Sequence, residues 1–281
     1  MTEGRGDSIG IICGGTDLAE ITIKSIKSKG LKPVIVCIEN EADERLSTLF
    51  NDVHWLQVGN IGKAIEIFKS EGIDHCLMIG RVDHRRIFEN INFDKELYKI
   101  YTALKDRRAN TLLEALIDVF RESGLKFIDT TEFLRDYLAP EGVLGKISPD
   151  EKLRSDVSFG WQLAKKIGEL DIGQSVIVKD KAVVAVEAIE GTDELIDRSR
   201  TLCPNGAVLV KAAKPRQDKR FDMPVVGPRT MQKLANVKAA ALAIEAGATI
   251  VIDIQEMVRI ADENGIVFWG INDKVWNERK N

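Results

Sequence analysis

Four cysteines, three histidines and seven prolines in 281 residues exclude several kinds of protein at the outset. None of Cys13, Cys37, Cys76 and Cys203 forms a C-x-x-C pair, which argues against the common structural zinc sites. Three of them lie in apolar, strand-like runs, where cysteine acts as a small hydrophobe. No apolar stretch reaches the roughly 18–20 residues that span a bilayer. The start, Met1 to Asp7, is polar and lacks the apolar heart of a secretory signal, so a reducing cytoplasm is the expected setting. The net charge of −4 gives no basic excess to neutralise a phosphate backbone, so nucleic acid is not an expected partner. Fixed-period repeats and low-complexity tracts are absent as well.

What remains is a globular composition, 44% hydrophobic and 30% charged, long enough for two domains of ordinary size. Apolar runs at Ser8–Cys13, Pro33–Ile38, Val53–Val58 and His75–Ile79 alternate with amphipathic stretches such as Ile61–Ser70. That alternation predicts a parallel sheet covered by helices on both faces. Helices are expected near Lys95–Leu104 and Asn110–Ser123, then a short strand at Lys126–Ile128. The stretch LAPEGVLGKISPD is rich in proline and glycine and marks the domain boundary. Beyond it the pattern predicts a helix over Glu151–Leu170 and a hairpin of Ser175–Val178 and Ala182–Val186 turning at Lys179-Asp180-Lys181. A helix then starts at Gly191-Thr192-Asp193 with Thr192 or Asp193 as its cap, and a strand follows at Ala207–Val210. An alanine-rich helix over Ala235–Ala246 is expected to end at Gly247. A strand at Thr249–Ile252, a helix at Ile254–Asn264 and a strand at Ile266–Trp269 complete the chain. The expected fold class is α/β: an N-terminal Rossmann-like parallel-sheet domain (residues 1–138), a linker (139–150) and a C-terminal mixed α/β domain (151–281).

Three places gather residues that handle anions or metals. The loop after the first strand holds Gly14, Gly15, Thr16 and Asp17 before a helix start, where free backbone N–H groups and the helix dipole favour an anion. It lacks the G-x-G-x-x-G and P-loop patterns, so a tight turn and a ligand loop both fit. Gly80, Arg81 and Val82 end another strand of an open sheet, the usual side for ligands. Glu187, Glu190, Asp193, Glu194 and Asp197 cluster after a strand, where carboxylates can offer oxygens to a hard cation. The densest stretch is KPRQDKRFDMPVVGPRT, from Lys214 to Thr230. It interleaves Asp218 and Asp222, four apart, with Arg216, Lys219 and Arg220, and follows Lys211 at the end of a buried run. Paired carboxylates hold Mg²⁺ while waters and phosphate oxygens complete the octahedron, and lysine or arginine offsets phosphate charge. Pro215, Pro224 and Pro228 stiffen the loop. A solvated charge run is the plain alternative.

The order Q-D-x-R-x-D-x-P-x-x-G-x-x-T, carried by Gln217, Asp218, Arg220, Asp222, Pro224, Gly227 and Thr230, resembles the LpxI-type UDP-2,3-diacylglucosamine pyrophosphatases of lipid A biosynthesis. Further blocks follow in the same order: Gly14-Gly15, Gly80-Arg81-Val82, Leu138–Gly142, Asp171–Gln174, Glu187 with Glu190–Asp193, and Lys211 with Lys214-Pro215. Thr16 and Ala19 stand where the family often has a glycine and a proline. The resemblance implies hydrolysis of a lipid-linked sugar nucleotide at its pyrophosphate to UMP and 2,3-diacylglucosamine 1-phosphate, with Mg²⁺. It implies an essential aspartate, carried onto Asp222 first and Asp218 second; Glu190 or Asp193 is the further candidate metal ligand. Lys214 and Arg220 are expected to act on the phosphates. Substrate would meet Gly14, Gly15, Thr16, Asp17, Gly80, Arg81, Val82, Thr192, Asp193 and Lys211. A diacylated substrate implies peripheral, transient contact with an inner membrane, and a homo-oligomer is compatible with the reading. A sugar-nucleotide transferase and a non-catalytic nucleotide-sugar sensor are the competing readings.

Overall fold

The computed structural model describes residues 7–15, 17–80, 82, 94–104, 109–215, 220 and 223–273. These form two compact units, one up to Leu134 and one from Arg135 onward, apart from the short stretch around Arg220.

The first unit is a parallel sheet. Its strands are β1 (Ser8–Cys13), β2 (Lys32–Ile38), β3 (Val53–Leu56), β4 (His75–Ile79) and β5 (Lys126–Phe127), in the order β3-β2-β1-β4-β5. Between and after them run α1 (Leu18–Ser28), α2 (Leu46–Leu49), α3 (Ile61–Ser70), α4 (Lys95–Ala103), α5 (Ala109–Glu122) and α6 (Thr131–Leu134). Every residue of β2 after Lys32 is buried, as expected of a strand covered on both faces. Phe68 of α3 is fully buried over Gly10 of β1, where a Cβ would stand 2.9 Å from its ring. That glycine therefore sets how closely α3 lies to the sheet. The strand order turns back on either side of β1, so the β1/β4 boundary is the switch point where such sheets open a crevice.

The second unit is a mixed sheet. Its elements are β6 (Gly142–Val143), α7 (Glu151–Glu169), β7 (Ser175–Lys179), β8 (Ala182–Val186), α8 (Thr192–Leu202), β9 (Val208–Lys211), β10 (Val225–Val226), α9 (Pro228–Asn236), β11 (Ala241–Glu245), β12 (Ile250–Val251), α10 (Ile254–Glu263) and β13 (Val267–Ile271). Six strands pair in the order β6-β13-β11-β9-β7-β8, and β10 pairs with β12 apart from them. Strands β9, β11 and β13 are parallel, while β6, and β7 against β9 and β8, pair antiparallel. One face packs Leu209, Leu242 and Phe268 with residues of α8, α9 and α10. The other packs Val208, Val210, Ala241 and Ala243 with Val157, Trp161 and Ala164 of α7. Gly160 lets α7 approach β9, since a Cβ there would meet Val210 Cγ2 at 2.6 Å.

The α/β class and the two kinds of sheet agree with the expectation. The hairpin is there too: Asp180 and Lys181 both adopt positive φ, 51° and 57°, and the buried Asp156 accepts both of their N–H groups at 3.0 and 2.8 Å. One element needs correction. Ala235–Ala246 is not a helix; α9 ends at Asn236, and Ala241–Glu245 is the central strand β11. The alanines are there because small side chains let α7 pack on that face, and burial on both faces outweighs helix propensity. Gly247, at φ 71°, turns the chain after a strand rather than ending a helix. Gly191 at φ 88°, not Thr192 or Asp193, is the cap residue of α8. No described helix is long and apolar enough to cross a membrane.

Candidate functional site

At the carboxyl edge of the second unit's sheet, charge accumulates on elements that are otherwise apolar. Lys211 is the last residue of β9, Glu245 the last of β11, and Ser175 the first of antiparallel β7, in register with Lys211. Glu187 directly follows β8. The strand directions thus bring these four residues to one edge.

Lys211 is 3% exposed and Glu187 is 6% exposed, so each needs a partner inside the protein. Thr192, the first residue of α8, supplies the link. Its hydroxyl accepts from Lys211 Nζ at 2.7 Å and donates to Glu187 Oε1 at 2.8 Å. Lys211 Nζ also reaches Ser175 Oγ at 3.5 Å, and the Gln174 N–H points at Glu187 Oε2 at 3.3 Å. Burial by itself pushes the Glu187 carboxyl up. The Lys211 charge, then the Ser175 and Thr192 hydroxyls and the Gln174 N–H, outweigh it and hold the group below the ordinary glutamate value. Glu187 is therefore an anion, matched to a buried cation. Gly173 makes the approach possible: a Cβ there would stand 2.1 Å from the Glu187 carbonyl oxygen.

Two further ion pairs flank this network. Lys214 Nζ lies 2.8 Å from Asp171 Oδ1. Lys165 of α7 meets both oxygens of Glu245, at 2.7 and 2.6 Å, and sits 4.8 Å above the Trp161 ring. The edge therefore carries three lysines: Lys214 and Lys165 are each paired with a carboxylate, and Lys211 is held by the Thr192 and Ser175 hydroxyls. An ammonium carries three donor hydrogens, so a lysine fixed through one or two of them can still offer another to a phosphoryl oxygen.

In the first unit, the Gly14 N–H donates to the Ile79 carbonyl at 2.7 Å, joining the ends of β1 and β4 at the switch point. Gly15 follows, and Gly80, at φ 96°, bends the chain after β4. Asp17 precedes α1 without capping it through its side chain, and its exposed carboxylate lies 3.9 Å from Arg45 Nη2. Val82 packs against that unit's core.

The remaining expected residues divide into two groups. Thr16, Arg81, Asp218 and Asp222 lie outside the described residues. Glu190, expected to bind metal, directs Oε1 to Arg198 at 2.9 and 3.2 Å and Oε2 to the Ala188 N–H at 3.1 Å. Asp193 meets Arg229 Nε at 2.9 Å. Arg220 is partly buried. Among the described residues, no three of His, Cys, Asp and Glu cluster as a metal set. Glu190 and Asp193 are thus each engaged by an arginine.

Ser175, Lys165 and Glu245 were not among the expected site residues. Glu187, expected as an oxygen donor to a cation and as part of a family block, is instead the anion matched to Lys211. A polar residue closing an apolar strand run was the one available signal, and the helical reading of Ala235–Ala246 hid Glu245.

Comparison with known proteins agrees with this two-unit layout. The model of the LpxI N-terminal domain matches residues 8–137, and that of the LpxI C-terminal domain matches residues 140–269. The chain is 30% identical over 277 residues to the UDP-2,3-diacylglucosamine pyrophosphatase LpxI of Caulobacter vibrioides, an alignment that takes in 94% of this chain and 97% of that relative.

Proposed function

The chain belongs to the LpxI family, and from that premise we propose that it is a UDP-2,3-diacylglucosamine diphosphatase of lipid A biosynthesis. It hydrolyses the pyrophosphate of UDP-2,3-diacylglucosamine. The oxygen of water joins one phosphorus, the bridging P–O bond breaks, and the products are UMP and 2,3-diacylglucosamine 1-phosphate. The observation that carries the reading is the lysine array at the strand ends of the second unit, in a chain matched to LpxI along nearly its whole length.

Each residue has a role that follows from its chemistry. Negative charge grows on the phosphoryl oxygens as the bridge breaks, and fixed cations there lower the barrier most. Lys211 is held in place by Thr192 and Ser175, so it offers its charge without reorganising. Lys214 is proposed as a further cation for the phosphates, and Arg220 is proposed for the same role. Gly14, Gly15, Thr16 and Asp17, with Gly80, Arg81 and Val82, place the nucleotide and sugar. We further propose Mg²⁺ as cofactor, with Asp222 and Asp218 as its carboxylate ligands. When bound, such an ion neutralises phosphate charge and polarises water. The diacyl substrate brings the enzyme to the cytoplasmic face of a membrane in peripheral, transient contact.

The test is purified protein, synthetic UDP-2,3-diacylglucosamine and Mg²⁺, with chromatography for both products. Equimolar UMP and 2,3-diacylglucosamine 1-phosphate are expected, lost in EDTA and restored by Mg²⁺. Binding without products would make the chain a sensor. UMP released only with an added acceptor would make it a transferase.

A further inference from the structure

The backbone from Lys211 to Pro215 is held on several sides where it leaves β9. The Ala212 N–H donates to the Gln174 carbonyl at 2.9 Å. Lys214 is paired with Asp171. Gly168 of α7 lies so close that a Cβ there would be 3.3 Å from Lys214 Cα and 3.4 Å from Pro215 Cδ.

Between these sits a grip on a single residue. Glu245 Oε2 accepts the Ala213 N–H at 2.7 Å, and Lys165 Nζ lies 3.5 Å from the Ala213 carbonyl oxygen. The Lys165–Glu245 pair thus meets both backbone polar groups of Ala213. Its side chains are only 24% and 18% exposed. A partly buried ion pair is a poor source of stability, because desolvation offsets most of its attraction and an apolar pair of similar size does as well. An apolar pair could not accept the Ala213 N–H or reach its carbonyl. The pair therefore contributes placement of this backbone, and Ala213 lies between two other lysines of the site, Lys211 and Lys214.

We propose that Glu245, held by Lys165, is a positioning residue for the hydrolysis: by fixing Ala213 it sets where Lys211 and Lys214 present their ammonium groups. The inference rests on the reading under Proposed function. A misplacement of about 1 Å in groups that stabilise a transition state costs on the order of a hundredfold in rate, so even a partial slackening is measurable.

Two variants separate placement from plain stability. Glu245→Leu removes the acceptor and the ion pair. Glu245→Gln keeps an oxygen for the Ala213 N–H and removes only the charge. Each is compared with wild type in kcat, KM, urea midpoint and amide hydrogen exchange at Ala213. In Glu245→Leu, kcat should fall about tenfold or more with KM within about twofold, while Ala213 loses protection selectively. Glu245→Gln should keep kcat within about threefold and retain Ala213 protection. The proposal is overturned if folded Glu245→Leu keeps wild-type kcat, if Ala213 protection is unchanged, or if both variants lose activity only in step with their urea midpoints. Absence of turnover in the wild type would defeat the functional reading, and the exchange data would still decide whether Glu245 anchors Ala213.

Discussion

Replacing Glu187 by glutamine should be among the costliest isosteric changes in the second unit. The side chain keeps its shape, and its amide oxygen can still accept from Thr192. What disappears is the negative charge facing Lys211, which is 3% exposed and cannot turn to water. Removing one partner of a buried pair and leaving the other charged costs about 3–5 kcal/mol. For a domain of this size each kcal/mol moves the midpoint by about 2–4 °C, so melting should fall by roughly 6–20 °C. Adding Lys211→Met removes the stranded cation and should restore most of the loss, since a well-packed apolar replacement of such a pair is close to neutral. Acidity provides an independent check. The folded pKa of Glu187 lies below its unfolded value, so its contribution is complete above about pH 4.3 and is lost as pH falls through the folded value. The gap between wild type and Glu187→Gln should therefore begin to narrow as pH falls below about 4.3 and close once pH has passed the folded value. Urea unfolding at a series of pH values, followed by circular dichroism, measures all of this. A loss below about 1 kcal/mol at pH 7, or a double variant no more stable than the single one, would refute the buried-pair argument.

Two other substitutions probe how the site and its scaffold are built. Gly173→Ala places a Cβ 2.1 Å from the Glu187 carbonyl oxygen, a backbone atom that cannot rotate away. It should destabilise the second unit by about 3 kcal/mol or more and lower turnover with it; a wild-type urea midpoint would contradict the close approach. Asp94 serves two helices at once, accepting the Leu97 N–H of α4 at 2.9 Å and the Gly62 N–H of α3 at 2.6 Å. Asp94→Ala should cost the first unit about 1–3 kcal/mol in thermal melts, and Asp94→Asn, which keeps an acceptor, markedly less.

The first unit was the more legible from sequence. Its strands are short apolar runs bounded by glycines and separated by amphipathic helices, a pattern that few other folds produce. The hairpin at Asp180-Lys181 was legible as a break between two valine-rich runs, but the support from Asp156 was not, because that residue lies 24 positions earlier in the chain. Ala241–Glu245 was misread because alanine speaks for helix when its neighbours in space are unknown. Its smallness answers to α7, a tertiary fact. The site was read in outline only. Lys211, Thr192 and Glu187 each stood out as polar residues at element ends, yet nothing in their spacing of 5 and 19 positions says that one hydroxyl joins them. Glu245 and Lys165 are 80 positions apart and meet only because α7 lies on the strand ends.

The most direct measurement is the turnover of Lys214→Met on UDP-2,3-diacylglucosamine, alongside its melting point. Lys214 is paired with Asp171, whose side chain is 34% exposed, so the carboxylate left behind stays within reach of water and the variant should fold as the wild type does. If the carboxyl edge of the second sheet handles the diphosphate, UMP release should drop about a hundredfold with substrate still bound. Release at the wild-type rate from the folded variant would place the chemistry elsewhere.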